Sequence, residues 1–243
     1  MNRRKLLALL GMAGVDMFSG HASAQTVGGE AARKMFSCVA TPPQTEGPYF
    51  VDEALHRVDI RSDPTDGSMR DGLPLTLEVR VFTMARNAGT DCMPLGDALV
   101  DIWHCDANGV YSDARDRNFS TVGKQFLRGY QVTDAEGGVR FMTIYPGWYP
   151  GRSVHIHFKI RTRPKHGRAY EFTSQFYFDD SVTDKVHTRE PYSRDALQAG
   201  RKPYGARTRN SEDGIFRKGG DQLMLRLSET EKGYAASFDV GIQ

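Results

Sequence analysis

The residues best suited to chemistry are two histidines one position apart, in the run Val154-His155-Ile156-His157-Phe158-Lys159-Ile160. Side chains alternate between the faces of an extended strand, so His155 and His157 project to one side while Val154, Ile156, Phe158 and Ile160 project to the other. At a rise of about 3.3 Å per residue the two Cα atoms lie about 7 Å apart, close enough for both imidazoles to reach one ion. The plain alternative is a strand that turns two polar residues to solvent above a buried apolar face. Upstream, Tyr145-Pro146-Gly147-Trp148-Tyr149-Pro150-Gly151-Arg152 is an aromatic, turn-rich loop that leads directly into this strand. Further back, Asp101-Ile102-Trp103-His104-Cys105-Asp106-Ala107-Asn108-Gly109-Val110-Tyr111 runs from a strand into a turn. Taken singly, Tyr111 reads as a loop aromatic and Tyr149 as a packing residue beside Trp148.

Composition narrows what such a site can be made of. Three cysteines cannot form a disulfide scaffold or a four-thiolate centre, so a metal site must draw on the seven His, the ten Tyr or the carboxylates. A formal charge of +2, with basic residues scattered, excludes a nucleic-acid or anionic-membrane surface and points to a small molecule or a protein as partner. At 39% hydrophobic and 26% charged the chain is of ordinary globular composition.

Residues 1–24 read as an export signal. Asn2-Arg3-Arg4-Lys5 is a basic head, Leu6 to Val15 a short apolar run, and Ala22-Ser23-Ala24 a small-residue cleavage site. The run is shorter than the roughly 20 apolar residues a membrane span needs, so no stable anchor is expected. The adjacent arginines followed by Leu6-Leu7 favour a twin-arginine signal over an ordinary secretory one, and hence a periplasmic or secreted protein. Residues 25–37 are then a spacer and 38–243 one domain; removing 24 of 243 residues leaves about 219.

The elements that must position the site are strands. Apolar residues recur every second position in Leu75–Val81, Ala98–Trp103, Phe126–Val132, Val139–Ile144, Val154–Arg161, Thr173–Phe178, Leu223–Leu227 and Tyr234–Ile242. Ala85–Gly96 breaks the first of them. Eight strands with connections too short for crossover helices predict an all-β fold, an antiparallel β-sandwich with long active-site loops. The polar stretch Arg189–Gly220 is expected to be a long surface excursion, and Asp180–His187 a short helix at its head. His104, His166 and His187 lack partner spacing and are expected at the surface or in loops. Cys92 and Cys105 bracket a strand about 20 Å long, which disfavours pairing them; if a disulfide forms, Cys38–Cys105 is the preferred pair.

The strand ending in Trp103, Tyr111 eight residues after it, the Tyr-Pro element, Arg152 and His155-x-His157 together resemble the intradiol ring-cleavage dioxygenases, non-haem ferric enzymes. Thr41-Pro42-Pro43-Gln44-Thr45-Glu46-Gly47-Pro48-Tyr49-Phe50 is similar to their N-terminal motif, and Gly129–Ile144 to the strand pair before their metal loop. The likeness runs from about Cys38 to Tyr192. It implies Tyr111, Tyr149, His155 and His157 as ligands to Fe(III), with two phenolates and a hydroxide balancing three positive charges. It further implies that a catechol binds the ion through both oxygens, and that O2 splits the bond between the hydroxyl-bearing carbons to give a muconate-type dicarboxylate. Tyr149 would be the displaced axial ligand and proton acceptor, Tyr111 would stay equatorial, Arg152 would lie over the substrate ring, and Gln175 would assist by hydrogen bonding. Trp103 is expected to pack beneath the ligand turn. Only Pro150–Val154 separates Tyr149 from His155, and no long N-terminal helical region precedes Cys38, which suggests a compact exported branch. A binding module for aromatic ligands, or a copper or zinc site on the two histidines alone, stays open, as do the identity of the catechol and assembly as a homo-oligomer.

Overall fold

Residues 39–84, 92–117, 119–162, 169–192 and 207–243 are described by a computed structural model. Within them the apolar alternation becomes β1 (Pro74–Met84), β2 (Cys92–Pro94), β3 (Ala98–Trp103), β4 (Arg128–Val132), β5 (Gly138–Ile144), β6 (His155–Thr162), β7 (Glu171–Tyr177), β8 (Arg226–Glu229) and β9 (Tyr234–Ile242), with a short helix α1 (Asp180–Val186). One sheet has the order β2-β1-β9-β8, with β5 also pairing β1; the other has the order β4-β3-β6-β7. The expected sandwich is therefore present. One pairing departs from the antiparallel expectation: β9 runs parallel to β1, from Leu75 opposite Tyr234 to Thr83 opposite Ile242. Parallel neighbours need a long connection, and the whole second sheet lies between these two strands in sequence.

The inner faces meet in a dry core. Leu75, Leu77, Val79 and Val81 of β1 face Ile156, Phe158 and Ile160 of β6, all inaccessible to solvent. Phe158 stacks on Phe176 at 4.1 Å, and Phe176 meets Phe238 of the other sheet at 5.1 Å. Each fully buried side chain of this size contributes about 1.5–3 kcal/mol, so the inward face of β6 is strongly specified. Its partner face is thereby fixed outward. That outer face carries His155, His157, Lys159 and Arg161, and it is covered rather than open. Arg161 pairs with Asp52 and Asp101, and Lys159 with Glu46 while its ammonium lies 4.1 Å from the centre of the Phe50 ring, so the segment around residues 44–53 lies across the strand.

Several expectations need correction. β2 lies inside the expected break, and Leu223 belongs to a 3-10 turn rather than to β8, which begins at Arg226. α1 ends at Val186, with His187 as its C-cap, half-buried and stacked on Tyr192 at 5.2 Å. The stretch Arg189–Gly220 is not all surface. Tyr192 is buried, its hydroxyl donating to the Tyr145 carbonyl and accepting from the Leu73 amide, and Asp213 is buried as well. Cys105 is a buried thiol outside any disulfide, its Sγ 3.6 Å from the Gly147 carbonyl, whereas Cys92 is disulfide-bonded, so the Cys38–Cys105 preference does not hold. Cys38, His166 and the proposed signal and spacer lie outside the described residues.

His104 is likewise not at the surface. It is buried, with Nδ1 2.8 Å from the Cys105 carbonyl and Nε2 2.7 Å from the Thr143 hydroxyl. A carbonyl can only accept, so Nδ1 carries the proton and Nε2 accepts from Thr143. Burial outweighs the Cys105 bond and pulls its pKa down to about 4 from 6.5. An unfolded chain takes up a proton that the folded one refuses, so His104 costs stability as pH falls through this window and nothing above it. About 3 kcal/mol should be lost between pH 6.5 and 4 through this residue. Denaturant titrations of the wild type and of His104→Gln at pH 7 and pH 4 should show a smaller acid loss in the variant; equal losses would contradict the assignment.

Candidate metal centre

The register of the second sheet sets the floor of the site. His157 lies opposite Trp103 on one side and Gln175 on the other, and His155 lies opposite Tyr177. Trp103 stacks on His157 with ring centres 4.9 Å apart and planes 5° from parallel, so it packs beneath the site as expected. Gly47, from the Thr41–Phe50 motif, closes the other side. Its φ is +73°, and a Cβ there would lie 3.3 Å from Cε1 of His157. His155 is oriented by a hydrogen bond from Nδ1 to the Ser153 carbonyl at 2.6 Å, which places the proton on Nδ1 and leaves the Nε2 lone pair free.

Two loops bring the tyrosines to this floor. After β3 the chain turns at Asp106, whose Oδ1 accepts from the Asn108 and Val110 amides, and delivers Tyr111 inward with 1% of its surface exposed. Tyr49 stacks on Tyr111 at 4.4 Å and is itself tied to Asp116 at 2.8 Å. The loop carrying Tyr149 lies directly on that turn. A Cβ at Gly147 would fall 2.4 Å from the Ala107 carbonyl oxygen, so the approach requires glycine.

The four polar atoms converge. His155 Nε2 is 3.0 Å from His157 Nε2, 3.4 Å from the Tyr111 hydroxyl and 3.3 Å from the Tyr149 hydroxyl. Donors bound at about 2.1 Å to one ion, at angles of about 90–110°, stand about 3.0–3.4 Å apart, so this spacing fits a shared cation. Among the described residues no three His, Cys, Asp or Glu side chains gather around a metal position, so a full donor set here depends on the tyrosines. Burial holds all four neutral. It raises the Tyr111 hydroxyl well above 10, raises Tyr149 to about 12 despite the nearby Arg152 charge, lowers His155 to about 3 and lowers His157 well below 6.5. The imidazoles are therefore ready to ligate, whereas only a hard, strongly polarising cation would convert both phenols to phenolates.

Arg152 and Gln175 are brought together beside this cluster. An Arg152 Nη2 hydrogen donates to Gln175 Oε1, and Gln175 Nε2 donates to the Thr45 carbonyl at 2.8 Å. Arg152 Nε donates to Asp213 Oδ2 at 3.0 Å. Burial alone would raise the Asp213 carboxyl, but Arg152 and the Ser153 and Ile215 hydrogen bonds hold it below the ordinary range. Asp213 carried no sequence signal, because it stands in a polar stretch without periodicity. Tyr49 could have been found through its motif.

The family described as Dioxygenase matches residues 45–199. An intradiol ring-cleavage dioxygenase from Tetranychus urticae aligns with a TM-score of 0.67 at 28% identity, over 85% of this chain and 95% of that one. The dioxygenase domain of a dioxygenase carbohydrate-binding protein fusion from Streptomyces sp. SirexAA-E aligns with a TM-score of 0.57 at 28% identity, over 84% of this chain and 99% of that one. In sequence, the protocatechuate 3,4-dioxygenase beta chain of Burkholderia cepacia is 34% identical over 46% of this chain and 50% of its own length. A chlorocatechol 1,2-dioxygenase from a Pseudomonas species is 28% identical over 56% of this chain and 55% of its own. The chain thus spans about half the length of these two relatives.

The electrostatics predict a proton count for metal loading. Between about pH 5 and 9 the histidines are already unprotonated and the tyrosines still protonated, so binding of a trivalent cation should release about two protons from this donor set, and affinity should rise with pH. Comparing proton release in the wild type with Tyr111→Phe should show about one fewer in the variant. Equal release in both would exclude a Tyr111 phenolate.

Proposed function

The chain belongs to the intradiol ring-cleavage dioxygenase family, and from that premise we propose that it is a non-haem Fe(III) dioxygenase. Its reaction would cleave a catechol between the two hydroxyl-bearing carbons with O2, giving a muconate-type dicarboxylate. The observation that carries this reading is the convergence of the His157 imidazole and the two phenols of Tyr111 and Tyr149 within 3.0–3.4 Å of His155 Nε2. Tyr111, Tyr149, His155 and His157 would hold the iron. When bound, ferric iron would supply the Lewis acidity that deprotonates a catechol and makes its ring reactive toward dioxygen.

The remaining work falls to this chain's own side chains. Tyr149 is half-buried on a loop whereas Tyr111 is enclosed beneath Tyr49, so Tyr149 is the phenol better placed to yield to a substrate and take its proton. Arg152 places a fixed positive charge beside the Tyr149 hydroxyl, where electron density on a bound ring would be stabilised. Gln175 holds the Arg152 fork in place. Trp103 and Gly47 shield His157 from water. The chain as a whole is near-neutral, with a formal charge of +2, as suits a small aromatic substrate rather than a polyanion.

The same proposal includes location. The basic head, short apolar run and Ala22-Ser23-Ala24 support export to the periplasm or beyond, and the Cys92 disulfide fits an oxidising compartment. Among the described residues no helix is long and apolar enough to cross a membrane.

Oxygen uptake across a panel of catechols, with product analysis, tests the activity. One-to-one consumption of O2 and catechol with an intradiol product is expected. Colourless protein that carries zinc and consumes no oxygen with any catechol would sink the proposal. Tyr111→Phe, Tyr149→Phe and His155→Ala should each lower turnover or iron retention by more than about 100-fold, since outer partners of metal ligands alone are worth about 10- to 100-fold. Full activity in all three would show that the site lies elsewhere.

A further inference from the structure

Asp213 is a buried carboxylate tied to the loop between Tyr149 and His155, and both of its oxygens are committed. Oδ2 accepts from Arg152 Nε at 3.0 Å, from the Ser153 amide at 3.0 Å and from the Ser153 hydroxyl at 2.9 Å. Oδ1 accepts from the Ile215 amide at 2.7 Å, which fixes the carboxylate plane to its own turn. Ser153, which Asp213 grips at its N–H and hydroxyl, accepts the Nδ1 proton of His155 at its carbonyl, on the other side of its Cα. One carboxylate, 60 residues away in sequence, therefore reaches both the guanidinium and the imidazole through neighbouring positions of a single loop.

We propose that Asp213 is a positioning residue that fixes the Arg152 guanidinium and, through the backbone of Ser153, the His155 tautomer and ring orientation. Its catalytic consequence rests on the function proposed above; its structural consequence does not. A buried carboxylate accepts every donor offered to it, whereas an amide of the same shape must turn its NH2 toward at least one of the N–H and O–H groups now bound. The loop then shifts, and with it the carbonyl that holds His155. Partners of metal-ligating histidines of this kind are worth about 10- to 100-fold in metal affinity or activity.

The test compares the wild type, Asp213→Asn, Arg152→Ala and the double variant. In metal-free protein, 15N imidazole spectra should show His155 as the Nδ1–H tautomer in the wild type and as a mixture of tautomers in Asp213→Asn. Ferric affinity should fall about 10- to 100-fold in Asp213→Asn, and by the same factor when Arg152 is already Ala, because that branch runs through Ser153. The loss in kcat should be non-additive between Asp213→Asn and Arg152→Ala, because that branch runs through the guanidinium. Ser153→Ala keeps the peptide and removes only one hydroxyl, so it supplies the same measurement if Asp213→Asn does not fold, with a smaller loss of about fivefold in ferric affinity. A folded Asp213→Asn with the wild-type His155 tautomer overturns the inference. Wild-type protein that binds no ferric iron would count against the proposed function and leave the tautomer comparison to decide the role of Asp213.

Discussion

The period of two along β6 is the constraint on which the site depends. Ile156, Phe158 and Ile160 must face the other sheet, and the same pleat then sends His155 and His157 outward together. A slip of one residue would exchange a dry core for imidazoles and expose three large apolar side chains, at about 1.5–3 kcal/mol for each. Core packing thus sets the direction of two of the four donors independently of the loops. Pairing on both edges, with β3 and β7, fixes the height of each histidine against Trp103, Gln175 and Tyr177.

Loops supply the rest, and they do so by close approach. The Tyr149 loop rests on the Tyr111 turn through Gly147, and the N-terminal motif seals His157 through Gly47. The resulting enclosure has an electrostatic effect as large as its geometric one. The enclosed imidazoles lose their protons and the phenols keep theirs, so the apoprotein presents four neutral groups gathered about His155 Nε2 at distances that suit one ion. Folding therefore does not place like charges together. The cost of making two phenolates is deferred to the cation that would stabilise them.

Most of this was legible in the sequence, for identifiable reasons. Strands such as Leu75–Val81 and Tyr234–Ile242 carry unbroken alternation and lie where alternation puts them. The candidate ligands were legible because their spacing along one strand and two flanking turns resembles a known pattern. What was hidden depends on contacts between distant segments. The parallel docking of β9 on β1 is set by tertiary packing, and no local pattern encodes it. His104 looked like a loop residue because nothing in Trp103-His104-Cys105 announces that Thr143 will satisfy its second nitrogen. Asp213 was hidden most deeply. It lies in a polar, aperiodic stretch that reads as solvated surface, and its burial follows only from the Arg152 and Ser153 donors waiting for it.

The central claim is that Tyr111, Tyr149, His155 and His157 form one preorganised cage for a hard trivalent cation. Anomalous diffraction from crystals loaded with ferric iron tests it most directly. The account predicts a single strong iron peak about 2 Å from His155 Nε2, His157 Nε2 and both tyrosine oxygens, with those side chains displaced by less than about 0.5 Å from the positions described here. An iron peak elsewhere, or one bound by the histidines with both tyrosines turned away, would contradict it.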